Sequence, residues 1–526
     1  MTRRHEVLAL MLATLIVAIV LIATQPRDVF WGPDSGNHFI QTQSILRGHI
    51  AIEHRFPIGH HFVDIANKTY STYSPAFPAA AAPFYAAFGY WGLFVLPILG
   101  TLLMIALLPA LTTRSILLPG ILLVFGTPVL WYTIVFWEHT IAAGIAVAAF
   151  ILTERERPLI AGVLAAISTV FREEGYVIIA SIVIAMLVTR RRPWSFAAAA
   201  IIALLPWWFF NWRLFANPLG LHAAIYSSIA QGNKLANFYP FLFEFSQNRI
   251  LCIVTAVLLL ACSGVRRPAA ALPSAACCRP TAASRGVESG AKAPYSRLLF
   301  IAATAGFVTL TVLLFMSPAP MRETLYTQGL FPAIPFSAAM FLSWREQPRF
   351  RVVAVLTGII LTTLIVNQAD FGVTWGPRHY FWMFPLIAVM AIESIPASRP
   401  IVIAAAVLAI CSFAIQFEGI RILRMKLRFS ENLLTAVRTD ANRVVVTDVF
   451  WIPEDLASAF FEKDIALARN DQEFAALSRG SILYIASRQF RLITNRGFQP
   501  VLQRVTSRRR IVGGDPMLDV MLIDLK

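Results

Sequence analysis

The stretch Trp31-Gly-Pro-Asp34-Ser-Gly-Asn-His38 sets a carboxylate among turn-forming residues, just beyond an apolar run from Val7 to Ala23. An acid held there can act as a general base, taking the proton of an acceptor as it attacks. Asp is also a favoured helix N-cap, and that structural role competes with the chemical one. Trp137-Glu138-His139 places a second acid at the start of an apolar segment, where a helix macrodipole alone would favour it. Phe171-Arg172-Glu173-Glu174-Gly175 puts three charges between two short apolar runs. Such charges are expensive unless they line a polar cavity. Arg378, in Trp375-Gly-Pro-Arg378-His379-Tyr380, and Arg322 add two cations. Together Arg172, Arg322 and Arg378 could hold a phosphate or pyrophosphate by bidentate charge-assisted bonds, although any one alone also suits a surface charge or a lipid headgroup contact. His38, Tyr73, His139, Glu173, Glu174 and Tyr380 are the candidates to line the cavity around them.

Five of the nine histidines, His38, His49, His54, His60 and His61, fall in one stretch with Glu53 and Asp64. Imidazoles and carboxylates together can ligate a divalent metal. Their spacing is irregular, so ordinary hydrogen bonding is the simpler expectation and a divalent metal stays open. Of the five cysteines, Cys252, Cys262 and Cys411 sit in apolar runs, and Cys277-Cys278 has no second pair, so no metal pattern forms.

The elements that must position these residues are membrane helices. Hydrophobic residues make up 57% of the 526 positions and charged residues 14%, against about 25% charged in soluble domains. Apolar runs in lipid must be helical because nothing there can bond the backbone. Thirteen crossings are expected, near 7–24, 90–110, 115–132, 139–152, 159–171, 176–189, 195–211, 249–264, 298–316, 329–343, 351–367, 379–395 and 400–418. With the N-terminus in the cytoplasm, the basic clusters Arg190-Arg191-Arg192, Arg266 to Arg297 and Arg345 to Arg351 all fall inside. That rule also accounts for the net charge of +16 without nucleic acid, since no basic face interleaved with aromatics is present. The expected organisation is a polytopic α-helical membrane domain over 1–418, with a first outside loop at 25–89 and an Ala/Pro/Ser-rich inside loop at 265–297. A small outside α/β domain follows over 427–526, with strands at Arg443–Asp448, Ser481–Ala486 and Asp519–Asp524 and short helices at Pro453–Glu462 and Asp471–Arg479.

In order and sidedness these features resemble the GT-C membrane glycosyltransferases. The features are Asp34 after the first helix, the Tyr73-Ser-Pro75 entry to the second, Glu138 opening the fourth, the Arg172-Glu-Glu-Gly junction, Asn211-Trp-Arg-Leu-Phe-Ala-Asn217-Pro218 and Trp375-Gly-Pro-Arg378. Bacterial relatives of protein O-mannosyltransferases and the aminoarabinose transferases of lipid A are the nearest likeness. The resemblance implies a multi-pass protein of the bacterial inner membrane that takes a sugar from a polyprenyl-phosphate donor to a lipid, glycan or protein acceptor with inversion. It implies Asp34 as the base, Glu138 as the second acid, and Arg172 and Arg378 beside the departing lipid phosphate. Two departures stand out: Tyr73-Ser74-Pro75-Ala76 replaces Tyr-Pro-Pro-Gly, and Ser35 rather than a second acid follows Asp34. A transporter or lipid flippase would instead call for midplane ionisable residues and an internal repeat, and a scaffold would leave the Arg172-Glu173-Glu174 cluster unexplained.

Overall fold

The first helix, Arg3–Ala23, shows why this chain needs lipid. Leu8, Leu12 and Ile16 face outward on it and are more than half exposed, while Leu10, Ala18 and Ile22 are buried against the bundle. A computed structural model describes residues 2–54, 61–229, 242, 249–264, 294–316, 329–365, 375–477, 480–487, 505–512 and 519–525. Among them, five helical segments are long and apolar enough to cross a membrane: Arg3–Ala23, Ala76–Leu111, Trp194–Phe215, Arg297–Met316 and Arg399–Thr439. Shorter apolar helices, including His139–Glu154, Pro158–Phe171 and Gly175–Val188, pack among these. Arg322, His60 and most of the 265–297 loop lie outside the described residues.

Several expected crossings have different bounds, and proline or glycine is the reason each time. The second apolar segment begins at Ala76 rather than near 90, with Gly89 at φ +58° opening a 3-10 turn before Val95–Leu111. The 115–132 stretch divides into Leu117–Phe125 and Val129–Thr133 around Gly126 and Pro128. The 329–343 stretch is a four-residue helix, Leu330–Ala333, followed by a 3-10 helix from Pro335 to Leu342. Proline supplies no N–H to the helical ladder, and that resets the chain at Pro128 and Pro335, while at Gly89 the positive φ does so.

The last helix runs unbroken from Arg399 to Thr439, 41 residues, or about 60 Å at 1.5 Å per residue. That is about twice the hydrocarbon thickness of a bilayer. The expected interval between membrane and soluble parts, 418–427, therefore falls inside one continuous helix. Beyond it stands a five-stranded mixed sheet. Its strands are β3 (Val444–Thr447), β4 (Asp464–Leu467), β5 (Ile482–Ser487), β6 (Val505–Val512) and β7 (Asp519–Leu525), numbered after the hairpin strands β1 (Phe62–Ile65) and β2 (Lys68–Ser71). The order is β4-β3-β5-β7-β6, with β3 parallel to β4 and β5 and the remaining pairs antiparallel.

This sheet domain sits directly on the helix that carries Asp34, Pro33–Leu46. Lys426 of the long helix is buried and paired with buried Asp455 of the short helix Ile452–Asp455. The Ser430 hydroxyl donates to the same carboxylate at 3.1 Å. Ser458 donates to the Asp28 carbonyl at 2.5 Å, and the Arg47 guanidinium lies 3.7 Å above the Phe461 ring. The closest approach is at Gly36, where an added Cβ would stand 1.9 Å from the Glu454 carbonyl oxygen. Only glycine allows the two backbones to meet there. Gly36→Ala should therefore force the domain off the Asp34 helix, at a cost of about 1–3 kcal/mol. Limited proteolysis of the purified protein should cut faster between residues 440 and 525 in this variant, and an unchanged cleavage rate would show that the contact does not hold the domain.

Candidate active site at the helix ends

The hairpin β1–β2 folds back onto the Asp34 helix and is tied there by side chains. Ser71 donates to Asn37 Oδ1 at 2.6 Å, and Gln41 donates to the Tyr73 carbonyl at 3.1 Å. The hairpin thereby delivers His61 and Tyr73 to Asp34. Tyr73 donates its hydroxyl proton to Asp34 Oδ1 at 2.5 Å. With that proton spent, the 3.3 Å contact from His61 Nδ1 must be a bond that the imidazole donates to the phenol oxygen. Arg378 donates to the other carboxylate oxygen, Oδ2, at 3.0 Å. Asp34 is not the N-cap: Gly32 is, with Pro33 opening the helix. The carboxylate is turned to side chains from elsewhere in the chain.

Glu138 likewise makes no capping bond at the start of His139–Glu154. His38, one turn along from Asp34, donates Nε2–H to Glu138 Oε2 at 2.8 Å, and Arg172 bonds the other oxygen. Arg172 also donates to Glu174 at 2.5 Å. Glu174 Oε1 accepts from His379 Nδ1 at 2.6 Å, and Arg378 reaches His379 Nε2 at 3.4 Å. The partners thus close a ring: Asp34, Arg378, His379, Glu174, Arg172, Glu138, His38, and back along the helix to Asp34. His139 lies against it, 3.5 Å from the Arg172 guanidinium. Glu173 bonds His222 at 2.9 Å, and the His222 ring stacks on Tyr73 at 5.7 Å. Tyr380 is buried and takes Thr363 as its partner at 2.9 Å, outside the ring.

The four ring residues Asp34, Arg378, Arg172 and Glu174 keep between 11% and 17% of their side-chain surface accessible. The cluster therefore keeps an edge open to solvent. Its wall is aromatic. Trp31 meets Trp131 edge-on at 5.0 Å, Tyr132 stacks on His139 at 4.5 Å, and Arg378 sits 5.8 Å from the Trp137 ring. The approach to Arg378 is fixed by Trp375, which donates to Gln416 at 2.9 Å and lies flat on Gly419, where a Cβ would come within 2.3 Å of the indole.

No group of three or more His, Cys, Asp or Glu suited to a metal ion occurs among the described residues. Each ring carboxylate is already bonded to a guanidinium or imidazole donor.

Among known proteins, no family model and no curated sequence matches. The fold is similar to that of ArnT from Cupriavidus metallidurans, solved bound to undecaprenyl phosphate, at 11% identity and TM-score 0.45, covering 98% of this chain and 97% of that one. It is also similar to the archaeal oligosaccharyltransferase AglB from Archaeoglobus fulgidus, solved with an inhibitory peptide and a dolichol-phosphate, at 12% identity and TM-score 0.45, covering 91% of this chain and 69% of that one.

Three residues of the site escape a reading of the sequence. His379 links the two halves of the ring but is one of three residues in a row that could have done so. Tyr132 hides in the apolar run Val129–Phe136, yet its buried hydroxyl has no partner among the described residues and lies within electrostatic reach of Arg378, Arg172, Asp34 and Glu138. Glu454 comes from the sheet domain, fully buried, with neither carboxyl oxygen partnered among the described residues.

Asp34 and Glu454, carried by the two segments that meet at Gly36, are tuned oppositely. Burial alone would raise Asp34, but Arg378, then His61 and the Tyr73 hydroxyl, hold it below the ordinary carboxylate value of 3.8. Burial pushes Glu454 well above the ordinary Glu value of 4.5, and the nearby Asp455 and Asp34 charges act in the same direction. A carboxyl neutral in the fold and ionised in the unfolded chain costs stability as pH rises from the unfolded pKa toward the folded one. Glu454→Gln removes that cost. Its thermal unfolding temperature should exceed that of the native protein at about pH 7.5 and coincide with it near about pH 4. Equal melting temperatures at both pH values would show that Glu454 is not held neutral.

Proposed function

We propose that this chain is an inverting glycosyltransferase that moves a sugar from a polyprenyl-phosphate donor to an acceptor hydroxyl or amine. The observation that carries the reading is the ring, in which the carboxylate–guanidinium pairs Asp34–Arg378, partly accessible, and Glu138–Arg172, with Glu138 buried, are linked through His379, Glu174 and His38. In the proposed reaction the acceptor oxygen or nitrogen attacks the anomeric carbon from the face opposite the phosphate, and the bond from that carbon to the phosphate oxygen breaks. The electron pair leaves with the lipid phosphate, and the acceptor proton passes to Asp34. In-line attack gives inversion.

Asp34 is a weak base while it accepts from Tyr73 and Arg378. It suits a proton that becomes acidic only as the new bond forms, late on the path. Arg172 and Arg378 would oppose the charge growing on the departing phosphate, and fixed cations in a partly dry site do this without reorganising. Tyr132 would offer its unspent hydroxyl to the same ligand. Glu138, held by His38 and Arg172, would fix the orientation of Arg172.

The reading extends to topology. The short apolar helices would complete about thirteen crossings, with the N-terminus in the cytoplasm of a bacterial cell and both the ring and the sheet domain on the far face of its inner membrane. The acceptor would be a lipid, glycan or protein presented there.

The test is transfer by purified protein across a panel of radiolabelled polyprenyl-phosphate sugars. Asp34→Asn should lose about 10²–10⁴-fold in turnover while expression and membrane insertion stay normal. Retained activity in that variant would remove Asp34 as the base. Arg378→Gln should lose about 10²–10³-fold in turnover. Because it also frees Asp34 of its cation, the acid limb of the pH–rate profile should move upward, which loss of a distant structural contact would not produce.

A further inference from the structure

The long helix Arg399–Thr439 carries a second constellation that the ring does not use. A groove of about 440 Å³ lies along it, bounded on its far side by Val512 of the edge strand β6. Its floor and walls combine apolar side chains, among them Phe417 and Met425, with Arg421, Arg424 and Arg428. The three arginines recur at intervals of three and four, and so share one face of the helix. None of the residues lining the groove is acidic.

Position along the helix says where this face lies. About 20 helical residues cross the hydrocarbon of a bilayer, so a helix that enters at Arg399 leaves it close to Gly419. Below that level the outward residues are apolar: Ile403, Ile410 and Phe417 are all more than half exposed, Phe417 at 73%. Immediately above it the arginines begin, at the depth of the lipid phosphates. Arg421 is paired with Glu418 at 2.5 Å, while Arg424 spends one N–H on the neutral Thr24 hydroxyl at 2.9 Å and keeps its charge uncompensated among the described residues. Arg428 is exposed and has no hydrogen bond or ion pair among the described residues. A guanidinium left open beside an apolar slot, at the edge of the bilayer, complements an anionic amphiphile.

We propose that this groove binds an anionic phospholipid from the leaflet on the side of the sheet domain. The phosphate would lie between Arg424 and Arg428, and an acyl chain would run down over Phe417 into the bilayer. Because one wall belongs to β6 and the other to the membrane helix, a bound lipid would bridge the two parts of the chain.

The experiment is native mass spectrometry of purified full-length protein in a neutral detergent, titrated with phosphatidylglycerol or phosphatidylcholine. The native protein should prefer phosphatidylglycerol by about tenfold or more at low salt. In Arg424→Gln/Arg428→Gln the preference should fall below about twofold, and Arg424→Lys/Arg428→Lys should retain most of it. Arg428→Gln alone, at an exposed position without a partner, leaves folding untouched and should lose about threefold. Equal binding of the two lipids by the native protein overturns the proposal, as does an undiminished preference in the Gln variants. Displacement of phosphatidylglycerol by soluble glycerol phosphate at equal concentration would reassign the site to a free phosphate and overturn it as a lipid site. These readouts do not involve turnover, so they stand or fall separately from the transferase reading.

Discussion

Two guanidinium groups hold the centre of this molecule together. Arg172 alone is shared between Glu138 and Glu174, and Arg378 is shared between Asp34 and His379. A buried carboxylate left without a cation costs several kcal/mol. Three acids could not gather at one end of a helical bundle unless their charge were met in place. The alternation of anion, cation and imidazole around the ring meets it. It also explains why the residues come from so many helix ends: a charge in the middle of a span would have to be desolvated on every side, while one at a terminus keeps an edge toward water.

The elements around the ring are arranged to keep it still. The Asp34 helix is gripped from two sides, by the β1–β2 hairpin through Asn37 and Gln41 and by the sheet domain through Gly36. The Arg378 turn is gripped by Trp375 on the long helix, whose Gln416 also donates to the Ala333 carbonyl at 2.9 Å. Ser74 donates to the Val170 carbonyl at 2.8 Å, tying the turn after Tyr73 to the helix that ends at Arg172. Each ring member therefore hangs on an element fixed by a different neighbour. The long helix links all of this to the sheet domain, because its Lys426 pairs with Asp455, next to the residue that abuts Gly36.

Much of this was legible before any coordinates. The low charge content and long apolar runs require a helical membrane domain, and Asp34, Glu138, Arg172 and Arg378 stand out as charges at the ends of apolar runs, although each one alone also admits a structural reading. Strands β3, β5 and β7 stand out as short Val/Ile-rich runs. Strand β4 does not, since Asp464-Ile-Ala-Leu467 has no β-branched run like the valines of β3 and follows directly on a Phe-rich turn, and β6 is masked by three consecutive arginines. That Asp34 does not cap its helix could not be read locally, because the partners it turns to, Tyr73 and Arg378, lie 39 and 344 residues away. Tyr132 was hidden for a different reason: in a run of apolar residues one phenol reads as packing, and only its burial without a partner sets it apart. Glu454 belongs to a separate domain, and no pattern within that domain points toward Asp34.

The choice of arginine over lysine at both ring positions follows from the same geometry. In the arrangement seen here each guanidinium already serves more than one neighbour, and any phosphate that enters must share it rather than find it bare. A lysine ammonium is a point charge with three rotatable donors, so a new anion would compete for the bonds that hold the acids. Arginine offers five N–H groups in a fixed planar fork. It can keep its carboxylate on one edge while turning the other to a ligand. In the proposed reaction the ring would then stay assembled as a phosphate bound and departed, with Asp34 held in place by its own partners.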